Sequence, residues 1–98
     1  MYKIAYTKQF KKSLKLCLRR GLDAGLLNDV LNILSESGKL PVKYKPHKLK
    51  GKYSECWECH IQPDWLLVWQ QNDKELNLLL IDTGSLQIFS NNTNNLQD

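Results

Sequence analysis

Long apolar runs are missing from this 98-residue chain. The longest, Trp65–Trp69, has five residues, where a membrane-spanning helix needs about 20. The opening residues, Met1-Tyr2-Lys3-Ile4-Ala5-Tyr6, hold no apolar signal core. Both absences predict a cytoplasmic protein with no membrane association. Cysteine is scarce and odd in number, with three residues, so no disulfide framework is expected. Histidine is scarcer still: His47 and His60 are the only two. Acid is missing altogether from residues 39–52, which carry six lysines. Cation is nearly missing from residues 53–98, which hold Lys74 against seven acids.

What is present fits one globular domain. Hydrophobic residues make up 42% and charged residues 24%, outside the range of disordered chains. Residues 1–52 hold 13 Lys and Arg against 3 Asp and Glu. Such a half is either a solvated set of helix faces or an electrostatic footprint for a polyanion.

Residues 2–6 are aromatic and β-branched and predict a first strand. Thr7 is a good cap for a helix whose apolar stripe is Phe10, Leu14, Cys17 and Leu18, ended by Gly21. Asp23 caps a second helix with Leu26, Leu27, Val30, Leu31 and Leu34 on one face, stopped by Gly38. The short link predicts a helical hairpin. Pro41 and Pro46 predict an extended loop over 39–52. Strands are expected over Ser54–Ile61, Trp65–Gln71 and Glu75–Asp82, joined by tight turns. The polar run 90–98 reads as a flexible tail. The order β-α-α-β-β-β predicts an α+β domain over 1–89, with the helical hairpin packed on a mainly antiparallel twisted sheet.

Cys56-Trp57-Glu58-Cys59-His60 matches a haem-attachment pattern. Haem attachment needs an export route, for which the sequence carries no signal, and zinc held by Cys56, Cys59, His60 and His47 is opposed because on a strand Cys56 and Cys59 point to opposite faces. No metal or cofactor is expected. The same alternation puts Cys56, Glu58 and His60 on one face and Trp57, Cys59 and Ile61 on the other. His60, Asp64 and His47 beside a lysine loop suit acid–base work on a phosphodiester. In RNA cleavage by its own 2′-hydroxyl, one group takes the hydroxyl proton and another protonates the leaving 5′-oxygen, while cations hold the phosphate. Lys43, Lys45, Lys48, Lys50 and Lys52 would bind the backbone. Trp57, Trp65 and Trp69 either stack bases or fill a core.

His47-x-Leu49-x-Gly51, followed by Glu58-Cys59-His60-Ile61-x-Pro63-Asp64-Trp65-Leu66-Leu67-Val68, then Thr83-Gly84-Ser85 and Phe89, resembles the YafQ branch of the RelE/ParE toxins. The resemblance spans about residues 1–89. It implies the toxin half of a bacterial type II toxin–antitoxin pair. It implies an mRNA endonuclease that works with the ribosome, without metal, and is neutralised by an antitoxin. It also implies catalytic roles for His47, His60 and Asp64, and RNA contacts at Trp65 and Phe89.

Three positions depart from the family pattern. Trp57 and Asp82 stand where the family has arginine, and Leu86 stands where it has histidine. An anion at Asp82 repels a phosphate, and losing one general acid costs about 10²–10⁴-fold. Reduced activity is therefore expected, and the alternative is a non-catalytic relative that binds antitoxin or ribosome.

Overall fold

The computed structural model describes residues 1–51 and 55–85. Lys52, Leu86, Phe89 and the expected tail 90–98 lie outside the described residues. The chain opens with strand β1 (Lys3–Tyr6) and passes into helix α1 (Lys8–Arg19) through Thr7. The Thr7 hydroxyl accepts the Phe10 amide at 2.9 Å, satisfying a donor that the first helical turn leaves open. Gly21, at φ 89°, then takes the left-handed turn that ends the helix. Asp23 starts α2 (Ala24–Ser37) in the same way, accepting the Gly25 amide at 2.8 Å. At Gly38 the chain again turns left-handed, at φ 71°, and a Cβ would stand 2.6 Å from the Tyr2 ring. Glycine is thus required there twice over, by backbone angle and by room.

The remaining strands are β2 (His47–Lys48), β3 (Cys56–Gln62), β4 (Trp65–Asn72) and β5 (Asn77–Gly84). They form a five-stranded sheet in the order β1-β5-β4-β3-β2. The pairs β2–β3, β3–β4 and β4–β5 are antiparallel, while β1 runs parallel to β5. The tight turns after Gln62 and Asn72 account for the antiparallel hairpins. The α+β architecture is the expected one, with one strand more. Within the loop expected over 39–52, Val42–Tyr44 forms a 3-10 turn and β2 pairs with the sheet edge. A two-residue strand is too short to show any alternation.

Both helices cover the same sheet face, α1 against β5 and α2 against β3. The core between them contains Phe10, Val30, Leu34, Cys59, Ile61, Trp65, Leu67, Trp69, Leu78 and Leu80. Burying one such large side chain contributes about 1.5–3 kcal/mol. Leu18 does not join this core, contrary to expectation, and is 42% exposed. The buried line of α1 runs through Phe10, Leu14 and Cys17, and one further residue in the last turn rotates away by about 100°. Among the described residues no helix is long and apolar enough to cross a membrane.

Candidate active site

Alternation along β3 sends Cys59 and Ile61 into the helix-covered core and so puts Glu58 and His60 on the opposite face. A register shift between His60 and Gln62 precedes the turn at Pro63 and Asp64. The turn carries the Pro63 carbonyl back to His60, 3.2 Å from Nδ1. A carbonyl only accepts, so Nδ1 is the donor there, and the neutral ring keeps its lone pair on Nε2. The acceptor that orients this ring is therefore the Pro63 backbone.

His60 lines a recess of about 530 Å³ with Leu26, Lys43, Tyr44, Lys45 and Pro63. Lys45 holds a left-handed backbone (φ 50°) at the end of the 3-10 turn, and the Lys43 ammonium lies 5.0 Å from the Tyr44 ring centre. Two lysines and one histidine thus line this recess. Asp64 lines a second groove of similar size, walled by Arg20, Leu16, Asp82, Thr83 and Ser85. Gln62 and Pro63 border both, so the β3–β4 turn separates a cationic recess from a groove carrying two carboxylates.

His47 sits on β2 directly opposite Glu58. Its Nε2 lies 3.1 Å from Glu58 Oε1 and its Nδ1 2.9 Å from the Lys45 carbonyl. Sequence reading gave Glu58 no role, because the register that pairs it with His47 depends on β2. Sequence reading gave Arg20 no role either. Arg20 lines the same groove as Asp82, the position at which the family motif would have its own arginine.

The predicted RNA contacts separate. Lys43 and Lys45 line the His60 recess. Lys48 and Lys50 are exposed outside it, and the Lys48 ammonium lies 5.7 Å from the Trp57 ring centre. Lys52 and Phe89 fall outside the described residues. Trp65 is a correction: it is 1% exposed, and its indole N–H donates to Thr83 Oγ1 at 2.9 Å. Its ring fills the core and presents no face to a base. Trp69 is equally buried, and Trp57 stacks on it at 6.3 Å between ring centres.

The cysteines supply no nucleophile. All three are buried. Burial pushes the Cys59 thiol up to about 12 and raises Cys17 and Cys56 as well, which disfavours the reactive thiolate. Among the described residues, no three His, Cys, Asp or Glu side chains gather as a metal-binding group.

The profile of a known family, described as the bacterial toxin of type II toxin–antitoxin system, YafQ, matches residues 2–90. The mRNA interferase toxin YafQ of Escherichia coli K12 is 34% identical over 74 residues, covering 74% of this chain and 80% of that protein. A metal-bound toxin from Helicobacter pylori superposes with a TM-score of 0.81 at 40% identity, over 90% of this chain and 98% of that one. The toxin of the E. coli DinJ–YafQ complex superposes with a TM-score of 0.80 at 29% identity, over 90% and 97%. With the fold, the His60–Pro63–Asp64 turn and this coverage in agreement, the chain belongs to the YafQ family of type II toxin–antitoxin toxins.

Proposed function

We propose that this chain cleaves mRNA on the ribosome, using the RNA's own 2′-hydroxyl as nucleophile. The observation that carries this reading is the recess at the end of β3. There His60, oriented through its Nδ1 by the Pro63 carbonyl, stands with Lys43 and Lys45. His60 Nε2 takes the proton of the 2′-hydroxyl. The two ammonium groups stabilise the charge that gathers on the phosphate. Attack expels the 5′-oxygen and leaves a 2′,3′-cyclic phosphate. Asp64 and His47 complete the catalytic set. Lys48, Lys50 and Lys52 hold the backbone outside the recess, and Phe89 contacts RNA. Residues 1–89 act as one domain in the cytoplasm, with 90–98 as a tail.

The partner that silences the toxin is an antitoxin, as in the E. coli DinJ–YafQ complex. Its acidic or amphipathic segment suits the lysines of α1 and of residues 39–52. Inducing the chain alone in a bacterium tests both parts. Growth should stop, mRNA ends should appear within translated codons, and a co-expressed antitoxin should reverse both. Unchanged growth with intact mRNA would refute the nuclease reading.

One observation favours a second reading. Asp82 and Asp64 both line the second groove, with Arg20 as its cation. This arrangement repels a phosphate more than the family's arginine would. A chain that binds ribosomes or antitoxin without cutting is the outcome that this observation supports.

A further inference from the structure

We infer that His47 and Glu58 form a proton-donating pair that serves the leaving 5′-oxygen in this chain. The inference rests on the reading of the site as an RNA-cleaving one. It begins from a shortage: the sequence has two histidines and none after His60. Cleavage needs one group to accept a proton and another to give one.

The two rings are bonded differently. Nδ1 of His60 donates to a carbonyl, which leaves Nε2 to accept. His47 has an acceptor at each nitrogen, the Lys45 carbonyl at 2.9 Å and the Glu58 carboxylate at 3.1 Å. The carbonyl fixes a hydrogen on Nδ1. A hydrogen on Nε2 would then bridge the ring to Glu58 Oε1, and the carboxylate would stabilise the ring that carries it.

Shape supports delivery of that proton. The Glu58 side chain is 15% exposed and the His47 side chain 48%. Glu58 holds the ring from the sheltered side, and an incoming 5′-oxygen takes the carboxylate's place at Nε2 to receive the hydrogen. His47 stands opposite Glu58 in register, and His60 is two residues further along β3 on the same face. Diagonal neighbours of this kind have β-carbons roughly 7 Å apart. Two imidazoles on one face at this spacing can both reach a single phosphodiester.

The step balances. The bond from the 2′-oxygen to phosphorus forms, and the bond from phosphorus to the 5′-oxygen breaks. The 2′-hydroxyl proton goes to His60 Nε2. The proton shared by His47 Nε2 and Glu58 goes to the 5′-oxygen. Water returns the first proton to solvent and reloads the pair. Glu58 is a positioning residue in this scheme, acting through His47. The titratable groups nearest His47 in register and along the chain are Glu58 and His60 on β3, with Lys45, Lys48 and Lys50 along its own segment.

Nitrogen NMR of the full-length labelled chain near neutral pH reads the pair directly. In the wild type, His47 should show hydrogen at both ring nitrogens and His60 at Nδ1. In Glu58→Gln, the amide can donate to a bare nitrogen, so His47 Nε2 should lose its hydrogen. Identical His47 signals in the two proteins would overturn the pair. Single-turnover cleavage on mRNA-programmed ribosomes is the second arm. Glu58→Gln should slow cleavage by at least about tenfold, toward the 10²–10⁴-fold of a lost proton-transfer group. It should also move the alkaline limb of the pH–rate profile to lower pH, with the melting temperature unchanged. A well-folded variant that keeps the wild-type rate and profile would overturn the inference. A wild type that cuts nothing would refute the nuclease reading, while the NMR arm would still decide the pair. The wild-type spectrum also serves if the variant fails to fold.

Discussion

Replacing Trp65 with phenylalanine separates a core residue from an RNA contact. Trp65 is 1% exposed, and its N–H reaches Thr83 Oγ1 at 2.9 Å. The Thr83 hydroxyl passes the bond on to the Leu66 carbonyl at 2.7 Å. Trp65→Phe removes one buried hydrogen bond, about 1 kcal/mol. It also opens a small void where the second ring stood, about 1 kcal/mol more. The expected loss is about 2 kcal/mol. Thr83→Val keeps the shape but strands the indole N–H in the core, which costs about 1–3 kcal/mol. The double variant should lose less than the sum, because removing the donor relieves the stranded group. For a domain of this size, about 2 kcal/mol lowers Tm by roughly 8–16 °C. Urea unfolding of the four proteins measures the cycle, and filter binding to single-stranded RNA is the control. Unchanged stability with weakened RNA binding in Trp65→Phe would show that the ring serves RNA and not the core.

Three further outcomes follow from the same structure. Replacing Lys43, Lys45 and Lys50 together with alanine should flatten the salt dependence of RNA binding by about 2 in the log–log slope, at about 0.7 per phosphate; an unchanged slope marks a merely solvated surface. Asp82→Arg combined with Leu86→His should raise the rate of mRNA cleavage above wild type, since it adds a cation to the groove and a second proton donor; an equal or lower rate refutes the repulsion argument at Asp82. Tyr2→Phe should flatten the pH dependence of stability at both extremes. Hydrogen bonds from Gln71 and Tyr2 hold the Asp73 carboxyl below its ordinary 3.8, so that part of the stability is present above 3.8 and lost as pH falls through the folded value. The bond to Asp73 raises the Tyr2 hydroxyl above 10.0, so its part is full below 10.0 and lost as pH rises through the folded value. Thermal melts from pH 2 to 11 compare the two proteins.

The parts of the fold that were legible are those that local chemistry decides. Thr7 and Asp23 cap because their side chains reach amides two or three residues away. Gly21 and Gly38 stop helices because of their own backbone angles. Alternation along β3 sorted Glu58 and His60 from Cys59 and Ile61 for the same reason. What stayed hidden depends on distant partners. β2 exists because His47 and Lys48 meet Glu58 and Trp57 across a register that two residues cannot announce. The Trp65 ring looked available because burial comes from α1 and β5, many residues away. His60 and Asp64 are joined by one turn, which brings each to the lining of a different hollow and supplies a backbone oxygen to the imidazole, an arrangement that no spacing announces.

The place of β5 in the sheet has a consequence for the order of folding. Both of its neighbours, β1 and β4, are made before it, and β1 has no other partner strand. Synthesis runs from the N-terminus, so a growing chain that has not reached residue 77 holds β1 and α1 with nothing to close on. The β3–β4 hairpin can form early from local contacts, but the domain locks only when the seventies and eighties slot between strands already made. Pairing β1 with β5 joins residues more than seventy apart, a long loop to close and a slow step. A chain cut short before β5 should therefore be insoluble rather than weakly toxic. The fold that an antitoxin must recognise therefore exists only after residues 77–84 have been made.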